Sequence, residues 1–404
     1  MRRLGLLAAL LFAACGRGAQ DGTVLRLSGW SSSPEEAKLI ETQIAEFESL
    51  HPGLRVKFEP IVGDYMQKLQ VLFASRTEPD VFYLDSKDID RMAYYGVLEP
   101  LDAHLAAAGD DGEDFYANLL ACFRGPDGRL YGLPKGFSTL ALYYNKDLLA
   151  QAGVQEPPRD WAALLRAAAA LRARGRTPLS LTADMKTIHL FTGLSGGAVL
   201  KDLKTLAFLE PPARAGIATL LSLFTGARPL ARLPQDFGKS WTGDAFAVGD
   251  AAMIIEGMWV APYLRLRAPE LRYGFAPVPP ITRRYNLFFT VAYVASARSR
   301  HKPEAVALLR YLTGRRGLAH VAELGLEIPS RRSVAETDFL KRFPERAPFI
   351  DAVAYSVPFK YGIDSNRLVE HLGKAVDAAR LGQMSDDEAL ARAARQLKRF
   401  YRTP

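Results

Sequence analysis

The sequence predicts an α/β protein of two lobes, and three observations support this prediction. First, the chain has 404 residues, a length that exceeds that of a usual single compact domain, and 49% of these residues are hydrophobic, which is enough for a large core. Second, short segments with the alternation of strands are separated by longer segments with the periodicity of helices. Third, the strand pattern pauses near residues 132–138, 281–290 and 327–336, which indicates a chain that crosses between the lobes three times. Such a hinge permits closure while limiting its direction.

The N-terminus has the pattern of a secretory signal peptide. Two arginines precede an apolar stretch, residues 4–14, which is too short to span a bilayer. Cys15 follows small residues and resembles the lipidated cysteine of bacterial lipoproteins. We therefore expect a signal peptide over residues 1–14, a tether over 15–24, and an exported protein in the periplasm or at the cell surface, anchored by lipid to a bacterial membrane. The alternative is ordinary cleavage nearby, which leaves Cys15 lost or free.

Composition and charge exclude several classes of protein. Charged residues make up 24% of the chain beside a large apolar fraction, so a disordered chain is not expected. The formal net charge of +8 is spread thinly, and no basic run has interleaved aromatic residues, so we expect no nucleic-acid binding. The two cysteines, Cys15 and Cys122, support neither a disulfide framework nor a cysteine metal site. No segment after the signal reaches the ~18 apolar residues of a membrane span.

The first part of the chain has the pattern β-α-β-α-β, which predicts a parallel sheet with covered faces. Ser33 before Pro34, with two glutamates in the first turn, is a strong helix start, and Pro52-Gly53 is a strong stop. The successive segments are a strand over 23–30, a helix over 33–53, a strand over 54–62, a helix over 64–80 and a strand over 81–85.

The alternation continues less regularly through the rest of the chain. A hairpin-like turn is predicted at Asp127-Gly128, and the two tyrosines of a following strand, Tyr143 and Tyr144, should face opposite sides. The later predicted segments are an Ala-rich helix around 164–171, a strand over 251–256, a strand over 288–298, a helical pair over 301–325 and C-terminal helices broken at Gly382.

Several segments in this order resemble the extracellular solute-binding proteins of ABC importers, and most closely the sugar-binding group that includes maltose-binding protein. They include "HPGLRVKFEPIVGDYMQKLQVLFASRTEPDVFYLD", "LYGLPKGFSTLALYYNKDLLAQAGVQEPPRDWAALL" and "GDAFAVGDAAMIIEGMWVAPYL", and the matches run from about residue 25 to 397. The resemblance implies a two-lobed periplasmic-binding-protein fold that closes on a carbohydrate and then docks, as a monomer without cofactor or metal, on the transmembrane subunits of an ABC permease. It places lobe one at residues 21–136 and 290–334, and lobe two at 137–289 and 335–404.

A sugar needs aromatic platforms for its apolar face and polar side chains for each hydroxyl group. Ligand sites of open α/β sheets lie at the C-terminal ends of strands, which selects the candidates of lobe one. Trp30 ends the first strand, Ser32 follows it, Asp85 ends "VFYLD", and Phe137 lies beside Gly136 at the first crossing. The alternatives are that Trp30 caps the core, that Asp85 caps the next helix, and that Phe137 packs inside the hinge.

The stretch "IIEGMWVAPYL" supplies the candidates of lobe two. By the resemblance, Trp259 is the stacking tryptophan of this lobe, Gly257 exposes its backbone N–H, and Glu256 accepts hydroxyl bonds or simply ends its strand. Trp241 precedes another helix and is a second candidate platform, and Asp244 is predicted to be the N-cap of that helix. The alternative for Trp259 is that it anchors the helical turn after it.

Further candidates come from the last segment and from another crossing between the lobes. These are Tyr361 and Arg367, and one of Phe288 and Phe289 is expected to touch the ligand. The stretch "NRLVEHLGKAV" lacks the aromatic residue that maltose-type members carry near the final long helix, so the sequence does not favour maltodextrin as the ligand.

The sequence contains no motif of nucleophilic or metal-dependent hydrolysis, and we expect no enzyme. Asp85 and Glu256 could imitate the carboxylate pair of an exported glycoside hydrolase, but they fall on opposite lobes. His189 near Asp184 is a candidate histidine and acid pair, and this histidine is expected in a core or at the surface. A second alternative is the same fold with a non-sugar solute, a polyol phosphate or a metal chelate, which would need clustered arginines.

Overall fold

The structure is a computed structural model that describes residues 22–30, 34–110, 112–226 and 229–403. The predicted signal peptide, most of the predicted tether, the predicted lipidation site Cys15 and the candidate Ser32 lie outside the described residues. Within the described part, no helix combines the length and the hydropathy needed to cross a bilayer.

The strands form one continuous mixed sheet in the order β2-β1-β3-β9-β4-β7-β5-β6, with β8 and β10 paired to β4 and β11 paired to β9. Their bounds are β1 Thr23–Gly29, β2 Leu54–Pro60, β3 Val81–Asp85, β4 Gly132–Asn145, β5 Thr177–Ser180, β6 Ala231–Arg232, β7 Ala251–Gly257, β8 Tyr273–Ala276, β9 Asn286–Ala295, β10 Ile328–Pro329 and β11 Ser356–Pro358.

Helices cover both faces of this sheet, and a π-helical turn, Val334–Phe339, precedes α14. The α-helices are α1 Pro34–Leu50, α2 Tyr65–Ala74, α3 Ile89–Tyr94, α4 Asp102–Ala107, α5 Ala117–Ala121, α6 Lys146–Gln151, α7 Trp161–Ala173, α8 Met185–Leu194, α9 Pro211–Phe224, α10 Thr242–Ala247, α11 Val260–Arg267, α12 Lys302–Leu312, α13 Arg315–Leu324, α14 Leu340–Arg342, α15 Ala347–Asp351, α16 Ser365–Arg380 and α17 Asp386–Leu397.

The β-α-β-α-β start of the chain is confirmed, since β1 pairs in parallel with both β2 and β3. The prediction that α2 extends to residue 80 is wrong, because Ser75 donates its hydroxyl to carbonyls of the last turn and Arg76 takes a left-handed backbone. Beyond these three parallel strands the sheet is mixed. β9 returns to β3 from the other end of the molecule and therefore pairs with it antiparallel, with Tyr83 opposite Tyr293.

Strand β4 belongs to both halves of the sheet. Residues 132–139 pair with β9, whereas residues 140–145 pair with β7 and β8. Where β4 and β9 part, the buried Asn286 side chain accepts from the backbone N–H of Leu140 at 3.1 Å and donates to its carbonyl at 2.8 Å. The side chain thus replaces the backbone partner that Leu140 loses. The predicted lobe boundary at residues 136 and 137 falls inside this strand.

Two clusters of buried apolar side chains fill the halves of the molecule. The first includes Leu27, Phe82 and Leu309, and the second includes Leu142, Phe191 and Leu372. Tyr143 faces the first cluster and is fully buried, whereas Tyr144 packs on the second and is half-buried, as their alternation predicted. Cys122 is buried and free, and burial raises the pKa of its thiol.

The second cluster encloses a hydrogen-bond network centred on His189. This histidine does not hydrogen-bond the neighbouring Asp184. The His189 Nδ1 atom lies 2.8 Å from the hydroxyl of Tyr361, and its Nε2 atom lies 2.9 Å from the hydroxyl of Tyr285. A neutral imidazole has one donor and one acceptor, so one tyrosine donates to the ring and the other accepts from it. Burial lowers the pKa of His189 to about 3.

This histidine should make the protein lose stability in weak acid. The unfolded chain binds a proton at His189 near pH 6.5, whereas the folded chain does not until about pH 3, so stability rises with pH between these values. Between pH 7 and pH 5 the protein should lose about 2 kcal/mol through this group. Urea unfolding of the wild type and of His189→Gln at both pH values measures the difference. Equal losses in the two proteins would contradict the prediction.

Candidate functional site

A cleft of about 680 Å³ lies between the two halves of the molecule. One wall comes from the end of β1, from α1 and from the residues after α13, and the opposite wall comes from the turn after β7 and from α11. Strands β4 and β9 form its floor. The lining residues are Trp30, Glu35, Glu36, Leu39, Lys135, Gly136, Phe137, Ser138, Met258, Trp259, Pro262, Tyr263, Arg265, Leu266, Phe289, Thr290, Val291, Leu326 and Glu327.

Trp259 is the main aromatic side chain of the second wall. Strand β7 ends at Gly257 and α11 begins at Val260, so Trp259 sits in the two-residue turn between them. Its side chain is 38% exposed, and its ring meets the ring of Phe289 edge to face, with centroids 5.4 Å apart. A partly exposed indole offers its uncovered surface to a ligand.

The indole of Trp259 packs directly over the backbone of Gly257. A Cβ atom at residue 257 would come within 2.1 Å of the Trp259 ring, so only glycine allows the ring to fold over the backbone. Two hydrogen bonds to strand β4 also hold this turn. The hydroxyl of Tyr143 donates to the Gly257 carbonyl at 2.7 Å, and the N–H of Met258 donates to the Ser138 hydroxyl at 2.7 Å.

Adding a methyl group at Gly257 should therefore displace the tryptophan. We expect Gly257→Ala to destabilise the protein by about 1–3 kcal/mol through overpacking and to shift the fluorescence of Trp259. Gly373→Ala is the matched control, because a Cβ there meets nothing within 4 Å and the residue lies inside α16. That control should stabilise the protein by about 0.5–1 kcal/mol. Unfolding curves in urea test both, and equal effects would refute the packing argument.

Trp30 and Phe137 supply the aromatic surface on the opposite side. Trp30 is half-buried, and its ring meets Tyr65 and Tyr83 edge to face at 5.0 Å and 5.2 Å. Phe137 is almost fully buried on the floor, where its ring packs edge to face on Tyr116. The structure thus brings the predicted residues Trp30, Phe137 and Trp259 to one cleft. Their contact with a ligand stays a prediction.

A charged triad, Glu36–Lys135–Glu327, joins the first wall to the floor, and the sequence did not predict it. The Lys135 ammonium lies 2.7 Å from a Glu327 oxygen and 3.4 Å from a Glu36 oxygen. It also lies 5.2 Å from the centroid of the Tyr83 ring. Burial alone lowers the pKa of Lys135, but Glu327 and Glu36 outweigh it and hold that pKa above its usual value. In the sequence, the lysine within the stretch "GLPKGFS" was the one feature that could have indicated this charged site.

Two predicted carboxylates have partners away from the cleft lining. Asp85 accepts from the N–H of Lys87 at 3.0 Å and caps the short 3₁₀ turn over 86–88, the alternative the sequence left open. Glu256 is only 4% exposed and accepts from the Lys186 ammonium at 2.5 Å and from the Thr242 hydroxyl at 2.7 Å. The structure therefore does not bring these two residues to the cleft.

Trp241 does not line the cleft, but it packs against Tyr263, which does. It stands at the N-cap position of α10, and its ring packs edge to face on the Tyr263 ring at 4.9 Å. The prediction that Asp244 caps this helix is wrong. Asp244 lies in the first turn, where it accepts from the hydroxyl groups of Tyr263 and Ser240 and thereby fixes the cleft tyrosine.

The candidates of the last segment lie elsewhere. Tyr361 is 1% exposed and belongs to the hydrogen-bond network of His189. Arg367 is on the surface, and its guanidinium lies over the Phe400 ring. Of the phenylalanine pair, Phe289 lines the cleft and Phe288 is fully buried. Among the described residues, no group of three or more His, Cys, Asp or Glu side chains is arranged to hold a metal.

Known proteins share both the sequence pattern and the fold. The pattern of the family described as bacterial extracellular solute-binding protein matches residues 30–318. The galactooligosaccharide-binding protein of Bacillus subtilis (strain 168) is 23% identical, over 96% of this chain and 94% of its own. The GacH receptor of Streptomyces glaucescens, solved unliganded and with acarbose, has a TM-score of 0.81 at 25% identity, covering 93% of this chain and 99% of the receptor. UgpB of Mycobacterium tuberculosis, solved with glycerophosphocholine, has a TM-score of 0.81 at 22% identity, covering 92% and 97%.

Proposed function

The chain belongs to the bacterial extracellular solute-binding proteins, the capture components of ABC importers, and from this premise we propose that its solute is a carbohydrate. One observation carries the proposal. Trp30 and Trp259 approach one cleft from opposite walls, and Phe137 and Phe289 lie between them. Aromatic rings on two sides suit the apolar faces of a mono- or oligosaccharide. The B. subtilis relative named for galactooligosaccharide and the receptor solved with acarbose support this assignment.

The polar side chains of the floor would pair with the hydroxyl groups. Lys135 can donate, and Glu36 and Glu327 can accept. Ser138 and Thr290 are less available, because their hydroxyls already donate to backbone carbonyls at 2.8 Å. Each hydroxyl left unpaired in the closed cleft costs about 1–3 kcal/mol, so these few groups would decide which sugar is accepted.

Transport requires closure of the lobes around the sugar. A ligand that touches both walls favours the closed population, and its differential affinity limits the size of the shift. Strands β4 and β9 are the elements about which such closure would occur, because both continue from one half of the sheet toward the other. In the proposed cycle the closed form then delivers the sugar to the transmembrane subunits of the permease.

A phosphorylated solute is the second candidate, and the charge of the cleft does not favour it. The charged lining consists of Glu35, Glu36 and Glu327 against Lys135 and Arg265. A phosphate would add negative charge beside three carboxylates, without the cluster of arginines that phosphate recognition uses. The fold shared with the glycerophosphocholine complex of UgpB keeps this candidate in the test.

Three further proposals concern the state of the protein. The family is extracellular, so the protein is exported. We propose that Cys15 carries lipid and holds the protein at a bacterial membrane, that the working form is a monomer, and that the cleft has no hydrolytic activity. Mass spectrometry of the membrane fraction, light scattering and a chromogenic glycoside test these points in turn.

A thermal-shift screen of the mature protein tests the proposed solute. The panel contains neutral mono- and oligosaccharides, amino sugars, phosphorylated polyols and glycerophosphocholine. A sugar at 100 times its dissociation constant should stabilise the protein by about 2.7 kcal/mol. If only phosphorylated compounds raise the melting temperature, the carbohydrate assignment is wrong.

A further inference from the structure

Helix α11 and the turn before it carry apolar side chains on two different faces. On one face, Val260 and Leu264 are buried in the first cluster of apolar side chains. The spacing i, i+3, i+4, i+7 places four further side chains on another face, which is directed into the cleft. These are Trp259, Pro262, Tyr263 and Leu266. A helix on the surface normally turns a polar face outward, so the second apolar face needs an explanation of its own.

Leu266 is the clearest member of this cleft face. Its side chain is 81% exposed, the highest fraction among the large apolar side chains in the described part of the chain. A single exposed leucine is ordinary on a protein surface. This one, however, lines a cleft whose opposite wall carries two more leucines, Leu39 and Leu326. Aliphatic side chains therefore face the same space from both walls.

The polar groups at this end of α11 are directed to partners within the protein. The hydroxyl of Tyr263 donates to a carboxylate oxygen of Asp244. The guanidinium of Arg265 donates to the carbonyl of Leu324 at 3.4 Å, at the end of α13. The wall formed by α11 thus offers a ligand mainly rings and aliphatic carbon, whereas the charged triad lies on the first wall and the floor.

This division suits a ligand with two chemically different parts. A sugar ring at the charged triad finds donors and acceptors for its hydroxyl groups. A second sugar ring along α11 would meet few such partners, and a hydroxyl group that is buried without one is unfavourable. A hydrocarbon group in the same place needs no partner, and it gains affinity because both it and the exposed apolar side chains leave water.

Building on the carbohydrate assignment, we propose that the solute is a glycoside with an apolar aglycone. The sugar ring lies at the charged triad and the aromatic rings of the floor, and the aglycone lies along the cleft face of α11, between Leu266 and Leu326. Leu266 is then a specificity-determining residue, because it distinguishes such a glycoside from the free sugar.

Isothermal titration calorimetry on matched glycosides tests this inference. The series are glucose, galactose and the sugar with the largest thermal shift, each as the free sugar and as its methyl, hexyl and phenyl glycosides in both anomers. One fully buried methylene group is worth about fourfold in affinity. A hexyl group has five more than a methyl group, so we expect at least one hexyl glycoside to bind about 30-fold or more tighter than its methyl counterpart.

Two asparagine variants assign the preference to the leucines. Leu266→Asn keeps the approximate shape of the side chain but removes its apolar surface, and it should reduce the hexyl-to-methyl ratio by about fivefold or more. Leu326→Asn makes the same change on the opposite wall and should reduce the ratio as well. Leu381→Asn is the matched control, because Leu381 is 57% exposed at the end of α16 and does not line the cleft. The control should keep the wild-type ratio.

The outcomes distinguish this inference from the function on which it rests. If free sugars bind and no apolar aglycone increases the affinity, the inference fails and the carbohydrate function stands. A preference for the hexyl group that survives both asparagine variants also overturns the inference. Hexanol and hexylphosphocholine carry the same chain without a sugar. If they bind as tightly as the hexyl glycosides and no free sugar binds, both proposals are overturned.

Discussion

Trp259→Ala should weaken binding of the sugar by about 30-fold or more, because an aromatic anchor of a buried site commonly contributes 2 kcal/mol or above. The indole of Trp259 is the largest ring that the second wall offers to a ligand, and it is 38% exposed without one. The same exposure means that little packing is lost in the free protein. We therefore expect the free energy of unfolding to change by less than about 1 kcal/mol.

Calorimetry with the sugar that gives the largest thermal shift measures this effect. Trp161→Phe is the matched control, since Trp161 opens α7 and packs against Phe191 in the second core, away from the cleft. The control should keep the wild-type affinity. Wild-type affinity in Trp259→Ala, with an intact fold, would remove this tryptophan from the site and with it the main support for a stacked sugar.

Lys135→Met should have the largest effect on stability. The substitution keeps the volume of the side chain but leaves Glu36 and Glu327 without the base that they share on the floor of the cleft. Removing one partner of a buried ion pair commonly costs about 3–5 kcal/mol, because the remaining charge stays buried and uncompensated. Urea unfolding at pH 7 gives the difference.

Two further variants show whether charge is the cause. Lys374→Met breaks an exposed pair with Glu370 on α16 and should cost less than about 1 kcal/mol. Adding Glu36→Gln and Glu327→Gln to Lys135→Met removes the two carboxylate charges that Lys135 no longer offsets and should recover most of the lost stability. A loss in Lys135→Met that the added glutamines leave unchanged would point to packing and contradict the electrostatic argument.

Local signals in the sequence were reliable where one short segment decides the outcome. Pro34 with the two following glutamates starts α1, Asp64 caps α2, and Gly382 separates α16 from α17 with a left-handed backbone. Each of these depends on neighbours within a few residues along the chain. The three predicted pauses, in contrast, contain β10 and parts of β4 and β9, so strands run through these segments.

The candidate carboxylates show why polar site residues were harder to predict. A carboxylate at the end of a strand can point into the crevice or cap the next turn, and Asp85 caps. Glu256 faces Lys186 and Thr242, which are 70 and 14 residues away in the chain. The residues next to each carboxylate in the sequence do not indicate which partner that carboxylate takes in the fold.

By itself, the sequence determined the α/β class, the strands and helix starts at the beginning of the chain, and the tryptophans Trp30 and Trp259 as cleft candidates, because periodicity, caps and motif order are local properties. Only the tertiary structure decided that Lys135 lies between Glu36 and Glu327, since Glu36 is 99 residues from the lysine and Glu327 follows it at a still greater distance along the chain. Charges so far apart in sequence meet only when α1, β4 and the end of α13 are packed together. The arrangement of charges in the cleft is therefore a product of the fold.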